Sequence, residues 1–130
     1  GAPASETYKV RHAEYERLGE AIKTIRDRLR ESPKDLSEVR VAAKVAMDAA
    51  TGQFNWFPVG SGTELHPRSR AKNTIWSKPA EFKAAQELFA AEARKFEKVA
   101  QSADVTALRT QFRELAKTCK NCHDTFRAAD

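Results

Sequence analysis

Two cysteines and a histidine near the end of the chain have a spacing that supports a specific covalent chemistry. They form the segment Cys119-Lys120-Asn121-Cys122-His123, and the sequence contains no other cysteine. Cysteines three residues apart, with histidine directly after the second, have the spacing of c-type haem attachment. On a helix both thiols share one face, and the histidine can bind the iron as an axial ligand. We therefore expect one haem c, held covalently by Cys119 and Cys122, with His123 on the iron.

Three other interpretations of the cysteines fit the sequence less well. A thioredoxin-like pair belongs in a βαβ pattern, and no segment of this chain has a strand pattern. A structural zinc site needs four ligands, whereas His12 and His66 lie far from the motif in sequence. A disulfide between two residues three apart on a helix has poor geometry. Haem attachment remains the favoured interpretation.

The sequence offers several candidates for the sixth ligand of such an iron. The candidates are Met47, His12, His66, a lysine, or no residue. Met47 is the only methionine, and a role as a core filler is the favoured interpretation for it. Tyr15 lies in the apolar stripe of the first predicted helix, and a neutral tyrosine is a poor ligand for ferrous iron. We expect an empty or tyrosine-capped distal site in preference to a bound His12.

Hydrophobic periodicity predicts four helices that must position these residues. Apolar residues recur at alternating steps of three and four, as in helices that pack in bundles. The first helix is expected from about Ser5 to Arg30, and Pro33 follows its end. The second is expected from Asp35, with Glu38 as capping-box partner, to near Gly52. The third opens around Ser77, and the fourth follows an N-cap at Ser102 or Asp104 and runs to about Arg127, with both cysteines on its buried stripe.

A long connection over residues 52–77 separates the second and third predicted helices. Loops of this length are usually functional or packed by their own side chains, and we expect this packing from four aromatic residues: Phe54, Trp56, Phe57 and Trp76. The sequence therefore predicts an all-α protein, an antiparallel four-helix bundle in which residues 1–130 form a single domain.

Composition and charge exclude several classes of protein. Hydrophobic residues make up 41% and charged residues 32% of the chain, and no apolar run is long enough for a membrane span. The net charge is +5, and the basic residues are interspersed with acidic ones, so we expect solvated helix faces and no nucleic-acid binding.

The start Gly-Ala-Pro-Ala-Ser lacks the features of a signal peptide and is expected to be a mature end. Haem attachment at such a motif normally occurs outside the bacterial cytoplasm, so we expect a periplasmic protein.

Several segments together resemble the cytochrome c′ family over essentially the whole chain. The stretch from Leu115 to Arg127, which contains the haem motif, is similar to the end of that family. Phe57-Pro-Val-Gly60-Ser-Gly62-Thr63 and Ile75-Trp76-Ser77 match its connection, and Arg11, Tyr15 and Leu18-Gly19 match its first helix. A C-terminal motif with arginine four residues after the histidine separates this family from the common cytochromes c.

The resemblance implies an often homodimeric bundle with a mostly five-coordinate, high-spin haem. Arg127 would lie beside the His123 imidazole, Tyr15 would be the distal residue, and Arg11 and His12 would approach the haem and its propionates. His12 departs from the glutamine expected in the family. The basic run around Arg70 and Lys72 also departs, since relatives often carry acidic residues there. We expect Arg70, Lys72 and Trp56 to lie near the haem as well.

Two functions from different classes follow. The first is a non-enzymatic haem protein that binds small diatomic gases such as nitric oxide or carbon monoxide, as a carrier, a buffer or a means of detoxification. The second is a periplasmic electron carrier with a redox protein partner. A vacant iron position serves ligand binding, whereas a six-coordinate iron suits electron transfer. A peroxidase is disfavoured because the sequence shows no evident distal histidine–arginine pair.

Overall fold

The fold is built from four long helices and two short ones. A computed structural model describes residues 4–59, 61–62, 69 and 71–127, with side chains described from residue 6. The long helices are α1 (Ala4–Arg30), α2 (Ser37–Gly52), α4 (Pro79–Val99) and α5 (Val105–Phe126); α3 (Thr74–Ser77) and a 3₁₀ turn (Gln53–Asn55) lie between α2 and α4. Helix α1 packs on α2 and α5, and α4 packs on α2 and α5, which closes a four-helix bundle. The predicted fold class is confirmed.

The link between α1 and α2 differs from the predicted capping box. Helix α1 ends where Ser32 adopts the left-handed region at φ 51°, and α2 begins after Leu36, which has no side-chain cap. The Asp35 carboxylate accepts a 2.9 Å hydrogen bond from the backbone N–H of Ser37. Glu38 instead lies 2.9 Å from the Arg28 guanidinium. The predicted capping box is therefore wrong, because Asp35 forms a turn with its own backbone two residues on.

The core lies where the apolar stripes of the long helices meet. Ile25 of α1, Val39 of α2, Phe96 of α4 and Leu108 of α5 are fully buried in it. The buried face of α2 consists almost entirely of alanines, so neighbouring helices can approach closely. Met47 packs against this cluster, as expected for a core filler. A second, smaller cluster at the other end contains Ile75, Phe82 and Phe126.

The connection between α2 and α4 is packed by three of its four predicted aromatic residues. Trp56 is buried, and its ring comes so close to Gly52 that a Cβ there would lie 3.2 Å from it. Phe57 and Trp76 are half-buried, and the Trp76 indole N–H donates to the carbonyl of Pro58 at 3.1 Å. Phe54 is 45% exposed, so its predicted packing role is wrong. It lies in the 3₁₀ turn, where Gln53 is the buried residue.

Helix α5 is fixed at both ends. The Asp104 carboxylate caps its N-terminus by accepting a 2.9 Å hydrogen bond from the N–H of Ala107. Of the two predicted N-cap residues, Ser102 and Asp104, the structure has Asp104. At the C-terminus, where helix carbonyls lack partners, the N–H of Lys72 donates to the carbonyl of Phe126 at 2.8 Å. The Thr74 hydroxyl donates to the carbonyl of Thr125 at 2.9 Å. The connection therefore holds the helix end that carries His123.

In the described ranges, none of the helices combines the length and apolar character needed to cross a bilayer.

Candidate haem site

A large cavity lies between α1 and α5 and is closed by the connection and by α4. Its volume is ≈ 1330 Å³, whereas ordinary small-molecule sites occupy roughly 300–1,000 Å³. Its lining includes Tyr15 and Ile22 from α1, Phe82 and Phe89 from α4, and Cys119 and Cys122 from α5. The cavity thus has room for a macrocycle and has apolar walls.

The residues of the haem motif line one side of this cavity. Cys119, Cys122, His123 and Arg127 all belong to the lining. Cys119 packs against the main core and Cys122 against the smaller cluster. They form no disulfide with each other. Helical spacing of three places them on one face, as the motif predicts.

Burial keeps both thiols protonated. Desolvation raises the pKa of Cys119, and desolvation together with the charge of Cys119 raises the pKa of Cys122 to about 11. A thiol with a raised pKa is a poor nucleophile and a poor metal ligand at neutral pH. Within the described part of the chain, no three His, Cys, Asp or Glu side chains come together to hold a metal ion. Two thiols on one helix face that both line a large apolar cavity fit covalent attachment of one haem through both sulfurs.

Tyr15 forms part of the facing wall on α1. Its ring lies edge-on to Trp56, with centroids 5.3 Å apart and planes at 78°, and 6.1 Å from Phe57. Burial raises the pKa of the Tyr15 phenol well above its ordinary value, so the phenol is neutral at physiological pH. Aromatic packing therefore holds a bulky, uncharged side chain against the cavity.

Arg11 reaches the cavity, but its guanidinium is occupied by the connection. Its Nη1 donates to the carbonyl of Trp56 at 3.2 Å and to the hydroxyl of Ser61 at 3.0 Å. Its Nη2 donates to the carbonyl of Ser61 at 2.7 Å and to the hydroxyl of Ser69 at 3.1 Å. The guanidinium carbon also lies 4.9 Å from the centre of the Phe57 ring. Arg11 is buried, and burial lowers its pKa, although a guanidinium remains charged in proteins.

His12 also lines the cavity and is engaged by its own helix. Its Nε2 lies 2.9 Å from a carboxylate oxygen of Glu16, and its ring stacks on Tyr8 with centroids 5.6 Å apart. Arg11 and His12 thus sit side by side at the site, yet each has partners other than a distal ligand. Met47 is outside the lining, and His66 lies outside the described residues.

The structure places the remaining predicted site residues away from the lining or leaves them undescribed. Trp56 packs behind Tyr15 in the main core, and Lys72 is exposed, with its backbone rather than its side chain meeting α5. Neither belongs to the cavity lining. Arg70 lies outside the described residues. Trp56 therefore supports the site indirectly, through Tyr15.

Part of the cavity wall, supplied by α4 and by the middle of α1, was not predicted from the sequence. Phe82, Phe89, Ile22 and Arg26 line the cavity. The first three were visible as members of helical stripes, but a stripe does not show which of its members face a cofactor. The sequence did not indicate that Arg26 lines the cavity, because this residue lies outside the apolar stripe.

Comparison with known proteins decides the family. The sequence model of a family described as Cytochrome C' matches residues 6–127.

The chain belongs to the cytochrome c′ family.

Curated relatives of the family extend over most of the chain. Cytochrome c' of Rubrivivax gelatinosus is 31% identical over 91 residues, covering 69% of this chain and 70% of that protein. Cytochrome c' of Alcaligenes xylosoxydans xylosoxydans is 31% identical over 97 residues, covering 75% of this chain and 72% of that protein. The resemblance found in the sequence is confirmed, and the family carries c-type haem.

Solved structures show the same fold. A cytochrome c' described as having an unusual ligand-controlled dimer dissociation superposes with a TM-score of 0.91 at 24% identity, covering 99% of both chains. A nitric oxide complex of a variant of cytochrome c prime from Alcaligenes xylosoxidans superposes with a TM-score of 0.88 at 22% identity, covering 100% of this chain and 99% of that one. At these identities the likeness establishes the bundle architecture.

Proposed function

We propose that this member of the cytochrome c′ family is a haem protein that binds small diatomic ligands, nitric oxide and carbon monoxide. Cys119 and Cys122 would hold the haem through thioether bonds, and His123 would bind its iron. The observation that carries the proposal is the placement of this motif and Tyr15 in the lining of one apolar cavity. When bound there, a haem would supply an iron to which a diatomic gas can bind.

Tyr15 would determine which small molecules reach the part of the cavity next to its ring. Its neutral phenol, fixed against Trp56 and Phe57, excludes water and offers no strong ligand to ferrous iron. The Arg11 guanidinium is held by Trp56, Ser61 and Ser69, so it is not available to a bound gas. We expect this largely apolar wall to favour nitric oxide and carbon monoxide over dioxygen, whose bound form is more polar and depends more on a hydrogen-bond donor.

The His123 side would contribute a weak axial ligand. His123 is exposed, and Arg127 follows one turn later with its backbone N–H donating to the His123 carbonyl at 3.1 Å. A cation beside an imidazole disfavours further positive charge on that ring. We propose that Arg127 would weaken donation from the His123 imidazole to haem iron.

A gas-binding role is supported by a relative. Variants of the Alcaligenes xylosoxidans protein have solved structures with bound nitric oxide. A peroxidase role is disfavoured, because Arg11 bonds the connection and His12 meets Glu16. We propose a binding protein rather than an enzyme.

Covalent attachment can be tested by counting thiols and measuring mass. The purified holoprotein, unfolded in guanidinium with reductant, is expected to show no free thiol and the mass of the chain plus one haem. Cys119→Ser and Cys122→Ser are each expected to retain at most one covalent bond, and the double variant should lose its haem on unfolding. His123→Ala is the matched control, because it removes the axial ligand and leaves both thioethers. Two reactive thiols in the wild-type protein would refute the attachment.

We further propose a periplasmic homodimer formed through the faces of α1 and α2. The location is inferred from the chemistry of haem attachment. The contact is supported by exposed valines on those helices, Val10 at 51% and Val41 at 67% exposure, and by the dimer described for one relative. Val41→Glu should shift a dilution series in the ultracentrifuge toward monomer, whereas Val59→Glu, at an exposed site in the connection, should not. A wild-type protein that is monomeric at every concentration would refute the dimer.

A further inference from the structure

A second groove on the bundle gathers arginines from two helices. It has a volume of ≈ 270 Å³ and lies between the C-terminal part of α1 and the N-terminal part of α5. We define the arginine groove by its lining residues, which are Arg26, Leu29, Arg30, Arg109, Phe112 and Arg113. The arginines form one pair four residues apart on each helix, so the two members of a pair share a helix face. All four charged groups therefore surround one small depression.

The groove has a rigid apolar floor. Leu29 is 3% exposed, and Phe112 is half-buried and packs against the main core. Arg109 is fixed across the groove, because its guanidinium donates to the Leu29 carbonyl at 2.9 and 2.7 Å and to the Ser32 hydroxyl at 2.8 Å. The Arg26 guanidinium carbon lies 6.0 Å from the centre of the Phe112 ring. Two of the four arginines are thus held in place by the fold.

The arginine groove is not neutralised by carboxylates in the described part of the chain. Among the described residues, no carboxylate forms an ion pair with any of these four arginines, whereas other basic residues are paired: Lys23 meets Asp27 at 2.7 Å and Lys117 meets Glu114 at 3.1 Å. Asp27 is close enough for Arg30 and Arg26 to contribute to the lowering of its pKa, but its main partner is Lys23. The groove therefore presents an excess of positive charge.

We propose that the arginine groove is a docking surface for an acidic patch on a partner protein, with an apolar side chain at the centre of that patch. Guanidinium groups bind carboxylates through paired hydrogen bonds. Arginine and aromatic residues over an apolar centre have the composition of protein interface hot spots. The groove also adjoins the haem cavity, since Arg26 lines both, so a docked partner would lie beside that site.

Nucleic acid and simple anions fit the groove less well. A nucleic-acid backbone needs an extended basic track, whereas the neighbouring basic residues on these helices are paired with carboxylates: Lys23 with Asp27, Arg28 with Glu31 and Lys117 with Glu114. A single inorganic anion would gain nothing from Leu29 and Phe112. The combination of four cations with an apolar floor is best matched by side chains of a protein.

The test is a binding titration on the haem-loaded protein, with loading checked by absorbance so that failure of haem attachment is recognised separately. The probe is a short fluorescent peptide of glutamates around one central leucine. Binding should weaken with added salt, and Arg30→Gln with Arg113→Gln should weaken it by about tenfold. Arg109 is left intact because it anchors Leu29. The matched control, Lys44→Gln with Lys83→Gln, removes the same charge from α2 and from the far end of α4 and should bind as the wild type does.

Several results would overturn the proposal. Equal affinity of the groove variant and the control variant would mean that overall charge, not the arginine groove, binds the peptide. Displacement by inorganic phosphate beyond that caused by chloride at equal ionic strength would indicate a small-anion site. Tighter binding of an oligouridylate of equal length would indicate a nucleic-acid site.

Discussion

The guanidinium of Arg11 donates a 2.7 Å hydrogen bond to the backbone carbonyl of Ser61, fifty residues along the chain. Further bonds from the same side chain reach Trp56 and Ser69. Arg11 lies one turn before Tyr15 on α1, and Trp56 packs against the Tyr15 ring. One buried cation therefore ties the connection to the helix that carries the proposed distal residue.

Replacing Arg11 should destabilise the fold. Arg11→Met leaves the carbonyls of Trp56 and Ser61 without their donor, and we expect the free energy of unfolding to fall by about 2 to 3 kcal/mol. Arg11→Lys should recover only part of this loss, because an ammonium cannot replace a planar fork with several donors. Urea unfolding measures the effect, and Arg17→Met, on the exposed face of α1, is the control. Similar losses in the Arg11 and Arg17 variants would contradict the anchoring role.

Tyr15 should limit access of gases by its bulk. Tyr15→Ala removes the ring that packs on Trp56 and Phe57, and we expect carbon monoxide to associate with the ferrous protein about tenfold faster, equivalent to about 1.4 kcal/mol in the barrier. Tyr15→Phe keeps the ring and is expected to behave as the wild type in flash-photolysis rates. A large increase in carbon monoxide dissociation in Tyr15→Phe would instead show that the hydroxyl donates a hydrogen bond to the ligand.

His12 should have no influence on the spin state of the iron. Its imidazole is stacked on Tyr8 and lies 2.9 Å from Glu16, so we expect His12→Gln to leave the ferric spectrum unchanged. His123→Gln, recorded under the same conditions, should change the spectrum. A conversion from low-spin to high-spin bands in His12→Gln would identify His12 as the sixth ligand and favour electron transfer.

The contact between α4 and α5 should make the free energy of unfolding depend on pH in the acidic range. Gln111 donates a 2.6 Å hydrogen bond to the Glu92 carboxylate, and this bond, with Lys95, lowers the pKa of Glu92 below its ordinary value of 4.5. A lowered pKa means that the folded state favours the charged form, so this stabilisation is present above pH 4.5 and is lost as the pH falls through the lowered value. Gln111→Met should cost about 1 kcal/mol at neutral pH.

The cost of Gln111→Met should shrink below pH 4.5, as Glu92 becomes protonated in both proteins. Urea unfolding from pH 7 down to the acid transition gives the comparison. Glu87→Gln, at an exposed position on α4, controls for the loss of a carboxylate. A cost that is independent of pH would mean that Gln111 acts through packing alone.

The sequence predicted the bundle because its helices carry regular apolar stripes, and it predicted the thiol and histidine placement because the motif is local. It did not predict how Arg11 is used, because the acceptors at Ser61 and Ser69 lie on an irregular segment whose path no periodicity encodes. The predicted packing role of Phe54 was wrong for the same reason, because aromatic character alone does not show which way a side chain in a 3₁₀ turn points. The arginine groove was missed because its two halves lie on helices about eighty residues apart, and each half alone has the pattern of a solvated helix face.

The optical spectrum of the purified protein, ferric and then ferrous, with and without nitric oxide, tests the central claim most directly. We expect broad high-spin bands without the gas and a marked change when it is added, because His123 would be the only protein ligand and Tyr15 would leave the opposite iron position available. A sharp low-spin spectrum that does not respond to nitric oxide would contradict the account, since it would require a sixth ligand from the protein.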